Sequence, residues 1–414
     1  MPDRTGRRIG RRGWLRGAAA LAAGAPFASA PFATLRAEEP PIRIGFPVPV
    51  TGPYATEAAD QVRAAQLAIA EFNEAGGMGG RRAELLVRDD KLDPGEAATR
   101  AIELIEKDRV DFIVGSLSAS VQLAVNTVTK QRGILYNSIS QSDQIVSSPD
   151  WGPTSFHEAM TPHMTATAVG RYAFGKFGKR IAYVAADYAY GHEMVAGFRA
   201  VGAGIGAEEL AEIKMPIGTR DFSPLMPRLE ALRPDILFLC NFGRDQQIFV
   251  KQAQESGLKR MTHIVAPILL QTARIAGGAQ AFEGVLGGTS YYWGIERDVA
   301  SAKAFNDRFR KAYDGRLPSD YGALGYSGVR SVLSAAVKAG STATEKVASA
   351  LAGMKYDFYK GPQYYRACDH QSVQSVFIIE SKANGRVPED VFNVLETVPG
   401  QEDLLKTCAQ EGLG

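Results

Sequence analysis

From Ile42 onward the chain repeats one alternation. A short, almost uninterrupted apolar run is followed by a longer segment whose apolar residues recur at steps of three and four. IRIGFPVPV (42–50) is β-branched and leaves through prolines. Behind it Ala58, Val62, Ala65, Ile69 and Phe72 share one helical face until GGMGG ends the helix. RAELLVRDD, then DPGEAATRAIELIEKD with its Asp-Pro start, then VDFIVG continue the order. Strands apolar on both faces need cover on both, so the pattern predicts a parallel sheet wrapped by helices. It restarts at KRIAYVAADYAYG, and HEMVAGFRAVGAGIG, PDILFLCNFGRD and QQIFVKQAQESGL follow in the same order. The expected fold is therefore α/β with two lobes of similar build, which 414 residues can supply with a core each. FHEAMTP (156–162) stands between the two sets as the first chain crossing. SAKAFNDRFRKAYDG and YGALGYSGVRSVLSAAVKAGS add helices in the last third.

The first 37 residues obey a different rule. Arg4, Arg7, Arg8, Arg11, Arg12 and Arg16 precede GAAALAAGAPFASA, a short apolar stretch of small residues with the layout of a bacterial export signal. Arg11-Arg12 before Gly13-Trp14-Leu15 points to the twin-arginine route. Cleavage is expected after Ala37 rather than after Ala30, which is followed by Pro31. Seven arginines against Asp3 give this segment +6, and the whole chain is +2, so the mature protein carries about −4. That leaves no basic footprint for nucleic acid. In an oxidising periplasm Cys368 and Cys408, both in polar contexts, are expected to pair, while Cys240 inside DILFLC reads as a small buried hydrophobe.

Ligands of open α/β sheets bind outside the carboxyl ends of the strands. The exit of VDFIVG is GSLSASVQLA, in which Ser118, Ala119 and Ser120 stand at a helix start whose free N–H groups suit a carboxylate. No serine there has the flanking glycines of a hydrolase elbow. LYNSISQSD (135–143) adds Ser140 and Gln141 as further donors. Aromatic residues recur at the other exits: Tyr54, Tyr188, Tyr190 and Phe242, with Tyr291, Tyr292 and Trp293 in SYYWG. The five histidines lack metal-ligand spacing, and GGMGGRR and GAGIG fit no nucleotide loop, so no metal or cofactor is expected.

The order IGFPVPVTGPYA, AAQLAIAEFNEAGGMGGRRAELLVRDDKLDPGEAATRAIELI, VDFIVGSLSAS resembles the type I periplasmic binding proteins. These are solute receptors of ATP-driven importers of the branched-chain amino acid group. DYAYG, QQIFVKQAQESGLK and YSGVRSVLSAAVKAGS are similar to it as well, so the likeness spans nearly all of the mature chain. The resemblance implies two Rossmann-like lobes joined by a three-strand hinge, with crossings near Glu158, Tyr291 and Pro362 and the solute in the interlobe cleft. The first lobe would then hold 38–159 and 291–362, and the second 160–290 and 363–414. It further implies that Ser118, Ala119, Ser120, Ser140, Gln141, Tyr190 and Phe242 face the solute, that no chemical step occurs, and that a membrane permease is the partner; Tyr54 and Tyr291, aromatic residues at strand exits, are expected to join them. The Cys368–Cys408 pair has counterparts in related members.

One departure bears on the ligand. Amino-acid-binding members place an acid in the segment matching HIVAPILLQTA (263–273) to hold the ammonium, and this chain has none there; Glu57 and Asp245, neither at the expected place, are the candidates to substitute. The expectation is a small aromatic or aliphatic carboxylate first, and a branched-chain amino acid or an amide such as urea second. Two readings of other classes stand beside it: an exported serine hydrolase using GSLSAS, and a periplasmic sensor subunit signalling to a membrane kinase.

Overall fold

The computed structural model describes residues 39–413, so the leader and its cleavage point at Ala37 lie outside the described residues. The strands are β1 Ile42–Val48, β2 Ala83–Asp89, β3 Phe112–Gly115, β4 Leu135–Ser138, β5 Ser155–His157, β6 Arg180–Ala186, β7 Glu208–Met215, β8 Ile236–Cys240, β9 His263–Ile268, β10 Leu286–Thr289, β11 Lys355–Tyr356, β12 Gln363–Tyr365, β13 Ser372–Val373, β14 Val376–Ser381 and β15 Phe392–Val398. The helices are α1 Ala55–Glu74, α2 Pro94–Glu106, α3 Ala119–Arg132, α4 Pro162–Phe177, α5 Ala189–Ala203, α6 Met226–Leu232, α7 Gly243–Ser256, α8 Gln271–Gly277, α9 Ala279–Phe282, α10 Ala300–Ala312, α11 Asp320–Ala339 and α12 Thr344–Leu351.

Two sheets carry the architecture. The first has strand order β2-β1-β3-β4-β5, all parallel. The second runs β15-β14-β10-β9-β8-β6-β7, with β7-β6-β8-β9-β10 parallel and β14 and β15 added antiparallel. The order around β1 and the order around β6 are the same, so the lobes repeat one winding, as the restarted sequence pattern predicts. In each, the order reverses between the first strand and the third of its lobe (β1/β3 and β6/β8), and the crevice at such a reversal is where open α/β sheets bind ligands. Local chemistry sets the helix starts that frame it. Asp93 caps α2 by accepting from Glu96 N at 2.7 Å, Thr161 caps α4 from Met164 N at 3.0 Å, and Ser319 caps α11 from Gly322 N at 3.1 Å. Pro94 and Pro162 sit in the first turns, where no N–H is missed. None of the described helices is long and apolar enough to cross a membrane.

The chain crosses after β5 and again after β10, near Glu158 and Tyr291. The third crossing is not at Pro362. β12 and β13 join β11 in a small antiparallel sheet that stays against the first lobe, with Tyr365 Oη donated to by Asn137 Nδ2 at 3.0 Å and Gln371 bridged to His157. The passage to β14 therefore falls at Gln374-Ser375. Buried side chains at Asn137 and Phe156 capture the 363–373 segment, which the family resemblance assigns to the other lobe. The C-terminal tail returns as well: Ser148 N donates to Glu411 O at 2.9 Å, and Arg366 Nη2 to Lys406 O at 2.9 Å. Cys368 and Cys408 form a disulfide with Cα atoms 6.2 Å apart, and Cys240 is free and buried. The bridge thus ties the tail to the small sheet rather than to the second one.

Candidate functional site

The carboxyl ends of β1, β3 and β4 face those of β6 and β8. From the first lobe Tyr54 precedes α1, and from the second Phe242 precedes α7. Their rings meet edge to face at 4.8 Å. Tyr190 stands against Phe242 at 6.2 Å, Tyr188 against Tyr190 at 5.8 Å, and the Tyr54 and Tyr188 hydroxyls are 3.5 Å apart. A further ring, Tyr321 at the start of α11, meets Phe242 at 4.9 Å. Five aromatic side chains from the two lobes thus form one cluster. Tyr190 lies inside the first turn of α5 rather than in a loop, because α5 begins at Ala189. Close approach depends on Gly243: its φ is +56°, and a Cβ there would stand 2.7 Å from Tyr54 Cδ1.

The polar wall comes from β3 and β4. Ser118 occupies the N-cap position of α3 yet makes no side-chain cap bond, so its hydroxyl is left for other work. Ser118 and Ala119 are buried and Ser120 half-buried. Ser140 and Gln141 are buried, with Gln141 Oε1 lacking a protein partner. Gln122, one turn along α3, clamps this loop. With its amide turned, Nε2 faces Ser140 O at 3.0 Å and Oε1 faces Ser142 N at 3.1 Å. From the second lobe Glu193 reaches across, its carboxyl accepting from Ser142 Oγ at 3.1 Å and from Asp143 N at 2.8 Å. No histidine hydrogen bond among the described residues runs to the Ser116, Ser118 or Ser120 hydroxyl.

Two acids close the site: Glu57, which the sequence offers as a substitute for the missing acid, and Asp320, which it does not single out. Glu57, in the first turn of α1, is 4% exposed and accepts from Thr272 Oγ1 at 2.5 Å. Thr272 belongs to the 263–273 segment, so the acid missing from that segment is delivered to it by the other lobe. Asp320, the first residue of α11, is 2% exposed with Oδ2 unpartnered. Burial raises Glu57 to about 7 and Asp320 to about 8, and the charge of Glu57 adds to the rise at Asp320. Burial likewise raises Asp245 to about 6, although Gly218 N donates to it at 2.8 Å. The Tyr190 hydroxyl, 3% exposed, has no protein partner either. Buried polar atoms are normally paired, and Tyr190 Oη, Gln141 Oε1 and Asp320 Oδ2 are among the exceptions.

Tyr291 does not join this group. Its ring packs on Phe305 at 5.7 Å and on Tyr359 at 5.4 Å, and its hydroxyl is hydrogen-bonded to Asn306. SYYWG lies at a crossing, and the crossing turns this ring into the hinge core instead of the cleft.

Two doubly wound lobes with donors, acids and aromatic rings converging between them define a hinge receptor for a small solute. The model of the periplasmic binding protein family matches residues 41–386, and the chain belongs to that family. It is 27% identical over 316 residues to the Leu/Ile/Val-binding protein homolog 1 of Brucella abortus (strain 2308), a match covering 75% of this chain and 82% of that protein. Among solved structures it is similar to a periplasmic binding protein from Burkholderia mallei, with TM-score 0.82 and 27% identity over 90% of this chain and 97% of the other. A solute binding protein of an ABC transporter from Rhodopseudomonas palustris BisB5, in complex with 3,4-dihydroxybenzoic acid, shares the fold with TM-score 0.78 and 24% identity, covering 87% and 97%. The family consists of binding proteins of ABC transporters, and it implies the periplasm as the compartment.

Proposed function

We propose that the protein is the solute-capturing component of an ABC importer, exported by the twin-arginine route, and that its lobes close on a small carboxylate solute that also carries an amine. The solute carboxylate is received by the N-terminus of α3 at Ser118, Ala119 and Ser120, with Ser140 and Gln141 beside it. Tyr54, Tyr190 and Phe242 cover the apolar part. The observation that carries the reading is the pair of buried acids, Glu57 and Asp320, next to the aromatic cluster. A carboxylate held without water or a cation is costly, and an ammonium relieves both groups at once. Aromatic faces favour the same charge. The Brucella relative's name, a Leu/Ile/Val-binding homolog, agrees with an amino acid. Closure follows from the cluster spanning both lobes: the solute binds best where all its partners are together.

A second reading is favoured by the five-ring lining: an aromatic or aliphatic acid without an amine, with Glu57 and Asp320 staying protonated. Paired solutes separate the two. Thermal unfolding is followed with leucine against 4-methylpentanoate and with phenylalanine against 3-phenylpropanoate. A solute at about a thousand times its Kd adds roughly 4 kcal/mol. Stabilisation by the amino forms is expected. Stabilisation by the deaminated forms alone selects the second reading, and turnover of an ester in place of binding overturns both.

A further inference from the structure

His157 ends β5 where the chain leaves the first sheet, and its imidazole lies between the Ser140–Gln141 loop and the hinge. Nε2 faces the Ser140 carbonyl at 2.5 Å, and Nδ1 faces Gln371 Oε1 at 2.5 Å. The ring is fully buried, and the His157 backbone is bridged to Gln371. Gln371 cannot offer its nitrogen instead. Its Nε2 donates to Ala159 O at 2.8 Å and to Ser372 O at 2.9 Å, which fixes Oε1 towards the ring. Both ring nitrogens therefore face acceptors. A neutral imidazole has one N–H and one lone pair, and would turn that lone pair on one of the two oxygens. The doubly protonated ring satisfies both.

We propose that His157 is a positioning residue that, doubly protonated, ties the Ser140–Gln141 loop to the hinge and on losing a proton releases one of the two. The proposal rests on the preceding reading only for its purpose, since the loop is taken there to face the solute; the coupling itself is independent of which solute binds. Release from the ring does not free the loop altogether, because Gln122 of α3 also holds Ser140 O. It separates the loop from the hinge while leaving it on its own lobe.

The charges around the ring come from every side. Asp143 on the loop and Asp369 in the β12–β13 turn favour the imidazolium. Asp369 is itself paired with Arg366; Asp143 has Lys406 Nζ at 3.8 Å, and its N–H is donated to Glu193. Glu158 is the next residue and is tied up with Ser327, Tyr356 and Tyr365. His163 opens α4 beside Asp143, and His370 stacks on Phe156 at 4.1 Å. Burial opposes all of this and pulls the His157 pKa below its ordinary value. The linkage present at low pH is accordingly lost as pH rises.

The solute-free protein, labelled with ¹⁵N-histidine, is the test, with His157→Gln identifying the resonance. One ring is expected to show two N–H groups at the acid end of the folded range and one near about pH 8.5. Hydrogen exchange of the 138–142 amides is expected to be about tenfold slower in the parent than in His157→Gln at the lower pH, with the ratio approaching one at the higher. A single N–H at both pH values, or a ratio that does not change with pH, overturns the proposal. If the variant does not fold, crystal structures of the parent at the two pH values decide. Loss of either the Ser140 or the Gln371 contact at the higher pH supports it, and retention of both refutes it.

Discussion

Gly243→Ala separates what the second lobe needs for folding from what it needs for closing. At φ +56° an alanine costs roughly 1 kcal/mol more than glycine, and that cost is the same whether the lobes are apart or together. It appears as a loss of about 1 °C in the melting temperature for a chain of this length. The new Cβ also stands 2.7 Å from Tyr54 Cδ1 and 3.2 Å from the Pro53 carbonyl. Both of these belong to the other lobe, so this collision exists only in the closed form. Tyr54 is held by the edge of Phe242 and is fully buried, so its ring cannot swing aside freely. Overpacking of this kind costs about 1–3 kcal/mol, which weakens solute binding about 5- to 150-fold. Isothermal titration with the best solute of the panel reads the second effect, and unfolding without solute reads the first. A melting temperature lowered as expected with Kd unchanged would show that the solute-bound form does not bring Tyr54 to Gly243, and the aromatic cluster would lose its role.

Asp320→Asn is expected to weaken binding of an amine-bearing solute by about 10- to 100-fold while leaving its deaminated counterpart within a few-fold, by paired titrations. The pH dependence has a fixed sign. Glu57 and Asp320 are raised to about 7 and about 8 by burial, so the solute-free protein loses stability as pH rises from the ordinary carboxylate range to those values. Affinity for an ammonium rises over the same window, and the Asp320→Asn variant shows less of that rise. Glu193→Ala removes the acceptors of Ser142 Oγ and Asp143 N, and stopped-flow release should quicken roughly tenfold with little change in association. An unchanged release rate would mean the bridge is not a closing contact. Replacing Cys368 and Cys408 by serine opens a 40-residue loop worth about 4 kcal/mol by chain entropy, and the melting temperature should fall by several degrees with Kd little altered.

Some strands were legible because they are dense apolar runs: VDFIVG contains β3, ILFLC is β8, and RIAYVAA is β6, whereas β7 (EELAEIKM) and β15 (FNVLETV) are largely unburied and carry no such signal. The exits were legible for the same reason, since the end of an apolar run is the end of a strand. That placed Tyr54, Ser118, Tyr190 and Phe242 at one mouth before any contact was known. Glu57 was in view only as a substitute out of place, because its partner, Thr272, is 215 positions away, and an acid at a helix start reads as an ordinary first-turn residue. Asp320 and Tyr321 escaped because nothing local distinguishes the start of α11 from other helix starts; only its packing against α1 and Phe242 gives them a role. Tyr291 was misplaced for the converse reason. It follows a strand, as the site residues do, but this strand leads into a crossing.

The sequence by itself determined the alternation of buried strands and amphipathic helices, the repetition of that winding in two lobes, and the polar and aromatic character of the strand exits. These follow from periodicity and composition within a few turns of chain. Tertiary structure alone decided which exits meet, that the small sheet and the tail stay with the first lobe, and that the acids come from α1 and α11. Those outcomes depend on contacts between segments hundreds of residues apart, whose burial and hydrogen bonding no local pattern encodes.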